Sequence, residues 1–221
     1  MKSSLRFALP ALPLALQALP NADAQIIYTD PADITLQPGS GSIYFDVNLD
    51  GGGNAARTTF FAGADFNLYF TGGGAGSQPY LLNYPLSSAA GDATPWGGTL
   101  LRLDAGDAVD ATLGFNTFGG FINENGSNDE NWAAGTTGFL GLKLRFGGED
   151  HFGWARLTYA EDLALTLHDF AYNATANAAI AAGDTGRFTP VPEASTMWAG
   201  AAALLAGSAA VYRKRRQTPA A

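Results

Sequence analysis

Apolar and polar side chains alternate with a period of two through much of the middle of the chain. Ile43, Phe45, Val47 and Leu49 alternate with Tyr44, Asp46, Asn48 and Asp50. Phe66, Leu68 and Phe70 alternate with Asn67 and Tyr69, while Leu140, Leu142, Leu144 and Phe146 share one face and leave Lys143 and Arg145 on the other. Successive strand side chains point to opposite faces, so each run predicts a strand. Residues 99–103, 151–159 and 163–172 are further strand candidates. Glycine-rich turn signals separate the runs at residues 50–54, 71–74, 123–131 and 147–150. No long segment has helical periodicity. Many short strands with glycine-rich turns predict an all-β fold, a single β-sandwich or jelly-roll-like domain. Runs 140–146 and 151–159 should pair as an antiparallel hairpin across residues 147–150, with Trp154 in the core. Residues 173–183 are expected to close the domain as a loop or short helical turn, and 184–190 read as a linker.

The two ends break this pattern. Lys2 and Arg6 precede an apolar run at 7–19, and Ala22-Asp23-Ala24 forms a small-x-small site before Gln25. That is the pattern of a secretory signal peptide over residues 1–24, read by Sec-type export machinery. Pro10 and Pro13 within the run disfavour a stable spanning helix. Near the other end, residues 197–212 carry no charge, with Trp198 and Tyr212 at either side, and Arg213, Lys214, Arg215 and Arg216 follow at once. As a helix the run is roughly 24 Å long at ~1.5 Å per residue, against a hydrocarbon core of ~30 Å. A short transmembrane helix with its basic cluster held on the cytoplasmic side is the expectation, which places the body outside the membrane.

The tail Val191, Pro192, Glu193, Ala194, Ser195 and Thr196, then the apolar helix, then the basic cluster, resembles the PEP-CTERM sorting signal of Gram-negative bacteria. The same C-terminal domain is sometimes labelled an ice-binding protein C-terminal domain, a label that says nothing about ice. Ala194 stands where the family's second proline is usual. The resemblance covers about residues 190–216. It implies recognition by an exosortase, cleavage at the motif, and transfer from an inner-membrane anchor to the cell surface or extracellular matrix. A second stretch, Phe139-Leu140-Gly141-Leu142-Lys143-Leu144, then His151-Phe152-Gly153-Trp154-Ala155-Arg156-Leu157, then Asp169-Phe170-Ala171-Tyr172, is similar to a block of many PEP-CTERM ectodomains. That likeness implies shared fold and processing rather than an activity.

Setting the two ends aside sharpens the charge balance. The 221-residue chain has net charge −8, but residues 25–190 hold 6 of the 12 basic and 18 of the 20 acidic side chains, so the body is near −12. Such a surface repels nucleic acid and attracts cations. There is no cysteine, which removes disulfides and thiol chemistry; a body of this size can bury a sufficient core without them.

Candidate chemistry is sparse. Asp46, Asn48 and Asp50, followed by Gly51, match the opening of a D-x-N-x-D-G calcium loop, whose alternate oxygens suit Ca²⁺. Position twelve of an EF-hand loop would be Arg57, where a bidentate carboxylate is required. The competing reading is the outward polar row of a strand at 43–49. Asp104, Asp107 and Asp110 form a looser acidic turn. His151 and His168 are the only histidines, and no hydrolase or metalloprotease motif surrounds them. The adjacent carboxylates Asp129–Glu130, Glu149–Asp150 and Glu161–Asp162 read as solvated turns, since neighbouring side chains point apart. Trp96 and Trp132 lie in polar, glycine-rich loops, where exposed rings could stack on a sugar. No Thr-x-Thr repeat suggests an ice-binding array. The expectation is a non-enzymatic exported protein with a structural or adhesive role in the exopolysaccharide matrix. The alternatives are a carbohydrate-binding module and, behind it, a polysaccharide hydrolase.

Overall fold

The computed structural model describes residues 25–51, 55–72, 77–91, 98–123 and 131–186. The segment 1–24, Trp96 and the tail 191–216 lie outside the described residues. Among those described, all regular structure is strand, and no helix is long and apolar enough to cross a membrane.

In chain order the strands are β1 (Ile26–Thr29), β2 (Ile34–Leu36), β3 (Ser42–Phe45), β4 (Ala56–Arg57), β5 (Phe66–Thr71), β6 (Gln78–Asn83), β7 (Ser87–Ala90) and β8 (Gly98–Thr99). They continue as β9 (Arg102–Leu103), β10 (Ala108–Val109), β11 (Phe115–Asn116), β12 (Gly119–Phe121), β13 (Thr136–Phe146), β14 (Glu149–Tyr159), β15 (Leu165–Asn173) and β16 (Ile180–Ala181). The larger sheet runs β1-β15-β14-β13-β7-β11, with β2 also on β15 and β9 on β13. The smaller runs β4-β3-β5-β6-β12-β8, and its β12–β8 pair is parallel.

The centre of the larger sheet is the expected hairpin. β13 and β14 pair from Thr136↔Tyr159 to Phe146↔Glu149 without a slip. Only Gly147 and Gly148 turn the chain, both with positive φ (62° and 87°). Two such residues match the right-handed twist of the strands they join. Leu140, Leu142, Leu144, Ala155 and Leu157 face the smaller sheet, whose Ile43, Phe45, Phe66, Leu68 and Leu81 complete one shared core. Phe45 on β3 meets Phe170 on β15 across it, ring centroids 5.7 Å apart.

Trp154 is buried as expected, but on the opposite face. There Phe152, Trp154 and Ala171 pack with Leu103, Val109, Ile180 and Ala182 in a second cluster. The cluster is closed by the two-stranded patch β10–β16. Residues 173–183, expected as a loop or helical turn, thus contribute a strand to this lid. The hairpin is therefore covered on both sides, which is why its pattern reads as nearly continuous apolar residues around 152–157.

Two strand expectations need correction. Residues 43–49 do not form one strand: β3 ends at Phe45, and Leu49 takes a left-handed backbone with φ 60°. Residues 99–103 divide between the sheets, β8 lying in the smaller and β9 in the larger. The chain crosses between layers at Leu100, which is fully buried.

Candidate functional site

Trp132 offers no ring to a ligand. It is fully buried, and its carbonyl accepts a 2.6 Å hydrogen bond from Asn123 Nδ2. The expectation of an exposed sugar platform at Trp132 is thereby corrected: its glycine-rich, polar neighbours fold the indole inward.

The two histidines are separated along the β14–β15 pairing, His151 beyond one end of it and His168 near its middle. His151 is buried, stacked on Phe146 at 3.8 Å, with Nδ1 3.0 Å from the Asn173 carbonyl. His168 is the extra residue where the register slips between Arg156 and Leu157, and such a bulge re-aims a side chain. Its Nε2 lies 2.8 Å from Thr158 Oγ1 and its Nδ1 3.1 Å from Asp33 Oδ1. The hydroxyl–imidazole–carboxylate order is that of a hydrolytic triad. Thr158, however, stands mid-sheet between β13 and β15 with its backbone in the ladder. An oxyanion would need amide donors aimed at it. Thr158 belongs instead to a row across four strands, Thr137–Thr158–Thr166–Thr35, with Oγ–Oγ bonds of 2.7 Å at one end and 2.8 Å at the other. Beside it Asp169, buried, accepts two bonds from Arg156 at 2.9 and 2.6 Å and one from the Tyr28 hydroxyl at 2.9 Å. These groups tie strands together.

The other carboxylates are mostly turn-formers. Asp107 accepts from the Asp104 amide, Asp110 from the Thr112 amide and hydroxyl, and Asp162 from the Ala164 amide. Glu149 accepts from Asn177, and Asp150 lies 3.9 Å from Lys143 and 4.0 Å from Arg145. Asp129 and Glu130 lie outside the described residues.

The loop after β3 is different. Asp46 is fully buried; its Oδ2 accepts the Gly51 amide at 2.7 Å, while its Oδ1 is buried without a partner. Asp65, from the turn leading into β5, accepts the Val47 amide at 2.8 Å. Asn48 Oδ1 accepts the Asp50 amide at 3.1 Å, and Asn48 Nδ2 donates to Asp50 Oδ2 at 3.2 Å. Two glycines press the segments together: a Cβ on Gly51 would stand 2.7 Å from the Ala62 carbonyl, and one on Gly63 would strike Gly51 Cα. Burial, with the charges of Asp46 and Asp50 adding to it, pushes the Asp65 carboxyl up to about 7. Burial chiefly, and then Asp50, raises Asp46 as well.

One cleft opens over this loop and a second adjoins it, the two sharing Tyr84-Pro85-Leu86 as a border. The adjoining cleft, of about 510 Å³, is bordered by Leu86, Phe118, Lys143, Arg145 and Asp150. The cleft over the loop, of about 300 Å³, is bordered by Phe60, Tyr84 and Arg145 and by the polar Asn48, Asp50 and Asp65. Phe60, Leu86 and Phe118 are 61–69% exposed, and they are the large hydrophobic side chains left exposed among the described residues. Leu86 also holds a left-handed backbone, φ 79°, a conformation that costs free energy for a branched side chain. Tyr44, Phe60 and Tyr84 form a chain of ring contacts at 5.5 and 6.0 Å along the rim. Exposed rings beside polar groups suit the face of a sugar or another part-apolar ligand. Nothing local in the sequence marks these positions; Phe60 follows two threonines, and Phe118 sits in Asn116-Thr117-Phe118-Gly119.

No family model, no curated protein and no solved structure matches this chain.

Proposed function

We propose that this chain is an exported, non-enzymatic protein with a structural or adhesive role at the cell surface or in an extracellular polysaccharide matrix. Export begins at the signal peptide of residues 1–24, and the 191–216 segment serves as membrane anchor and exosortase signal. The observation that carries the reading is the arrangement of the chain itself: two targeting patterns enclose one acidic, cysteine-free, all-β body. The Phe45–Phe170 contact between sheets supports reading that body as a β-sandwich. Intact mass of the protein from its own cells, taken fraction by fraction, is the test. The expected result is a chain starting near Gln25 and ending near Glu193, in the surface or medium fraction. A chain keeping residues 213–216 in the membrane fraction would remove the exosortase step. A chain keeping residues 1–24 in the cytoplasm would end the export reading.

The paired clefts favour a second reading on the same scaffold, a carbohydrate-binding module. Its rings are Phe60, Tyr84 and Phe118 rather than Trp132. Ring stacking of this kind contributes about 0.5–1.5 kcal/mol per contact beyond buried area. Phe60→Ala and Phe118→Ala should therefore each weaken retention on the cognate polysaccharide by roughly twofold to tenfold, with unchanged circular dichroism. Equal retention of both variants would take the clefts out of glycan recognition.

A further inference from the structure

We propose that Asn48, Asp50 and Asp65, which border the smaller cleft, form a calcium site together with the buried Asp46. The sequence match ends at Gly51, because an EF-hand loop would next require a carboxylate where Arg57 stands. The fold supplies a substitute. The turn into β5 brings Asp65 against the same loop, where it binds the Val47 amide. The loop carrying Asp46, Asn48 and Asp50 and the turn carrying Asp65 are thus held against each other, with Gly51 and Gly63 in close approach.

The independent sign of a ligand is Asp46. Its side chain is fully buried, yet Oδ1 has no hydrogen-bond partner. A buried carboxylate oxygen without a donor is costly. No salt bridge of the described residues reaches Asp46, Asp50 or Asp65; Arg145, across the cleft, is directed to Asp150. A cation bound there would supply the missing partner and offset the mutual repulsion of the carboxylates.

The donor set selects the ion. All donors are oxygens, which excludes the thiolate and imidazole sites that zinc prefers. Mixed carboxylate and amide oxygens on a turn tolerate the irregular six- to eight-fold geometry of Ca²⁺ better than the rigid octahedron of Mg²⁺. In the conformation described, no three acidic or imidazole groups already converge to hold a metal. The proposed closure is a swing of the Asp50 side chain. That residue is exposed, lies against Gly63, and is held by Asn48 at 3.2 Å.

The test is calorimetric titration of the full chain, stripped with a chelator and held at physiological salt so that diffuse attraction to the acidic surface is screened. The expected result is one Ca²⁺ per chain with Kd on the order of 10⁻⁴–10⁻³ M, the range of extracellular modules, and binding of Mg²⁺ at least about tenfold weaker. Asp46→Asn and Asp65→Asn should each weaken Ca²⁺ binding by about tenfold or more. The melting temperature should rise with Ca²⁺ in the parent chain and not in the variants. Should either variant fail to fold, Asp50→Ala, at an exposed position, carries the same expectation. No uptake by the folded parent chain at about 10 mM Ca²⁺ would overturn the site. So would equal uptake by the folded variants, which would assign the binding to the general acidic surface.

Discussion

Trp154→Ala should lower the free energy of unfolding by about 3–5 kcal/mol, the usual range for emptying a large aromatic from a core. Trp154 is only 1% exposed. Its ring meets Phe139 edge-on at 5.3 Å and Tyr28 at 6.1 Å, and its Nε1 donates to the Asp184 carbonyl at 3.1 Å. It is the largest side chain of the second cluster, so its loss loosens the β10–β16 lid as well as the hairpin. Trp154→Phe keeps a ring and gives up the hydrogen bond, and about 1–3 kcal/mol is expected. Chemical denaturation checks both. A shift in midpoint at constant slope is the expected form. A loss below about 1 kcal/mol for the alanine variant would contradict a packed second layer.

Stability should also fall as pH rises through neutrality, and Asp65 should account for most of the effect. In the folded chain its carboxyl keeps its proton up to about 7, against an ordinary value of 3.8. Between those values the native state binds more protons than the unfolded chain. The contribution is therefore fully present below about pH 4 and lost as pH passes about 7. A change of that size corresponds to on the order of 2–4 kcal/mol, with some allowance for a side chain that solvent partly reaches. The groups facing Asp65 are Asp46 and Asp50 from the loop after β3 and Tyr172 from β15. Asp46, also raised by burial, acts in the same direction. Denaturation at several pH values, with chelator present, should show the slope in the parent chain and a much flatter one in Asp65→Asn. An equal slope in both would assign the effect elsewhere.

The parts of the fold legible from residue pattern are those whose partners are close in sequence. The β13–β14 hairpin needs only two apolar runs and a Gly-Gly turn, and all of these are local. Residues 43–49 misled because alternation persists past the end of β3. Val47 is buried, as a strand reading would require, but it belongs to a turn held by Asp65. Trp132 misled for a related reason: its polar neighbours say nothing about which way the indole folds. The proposed calcium site reaches beyond the linear motif, which cannot include Asp65, a carboxylate from a later turn. The clefts were invisible altogether. Phe60, Leu86, Phe118 and Arg145 come from four separate segments and meet only in the folded body.

The larger sheet joins the first strands of the chain to its last long one. β1 and β2 both pair with β15, and the Tyr28–Asp169 bond closes a separation of 141 residues. A chain that emerges from its N-terminus therefore presents two strands whose partner has not yet arrived. Distant pairings of this kind form slowly, since loop closure comes before any contact is gained. Until the last long strand is out, β1 and β2 lack the strand with which they pair. Arrival of β15, rather than the strength of any single early contact, then sets the moment at which the molecule becomes whole.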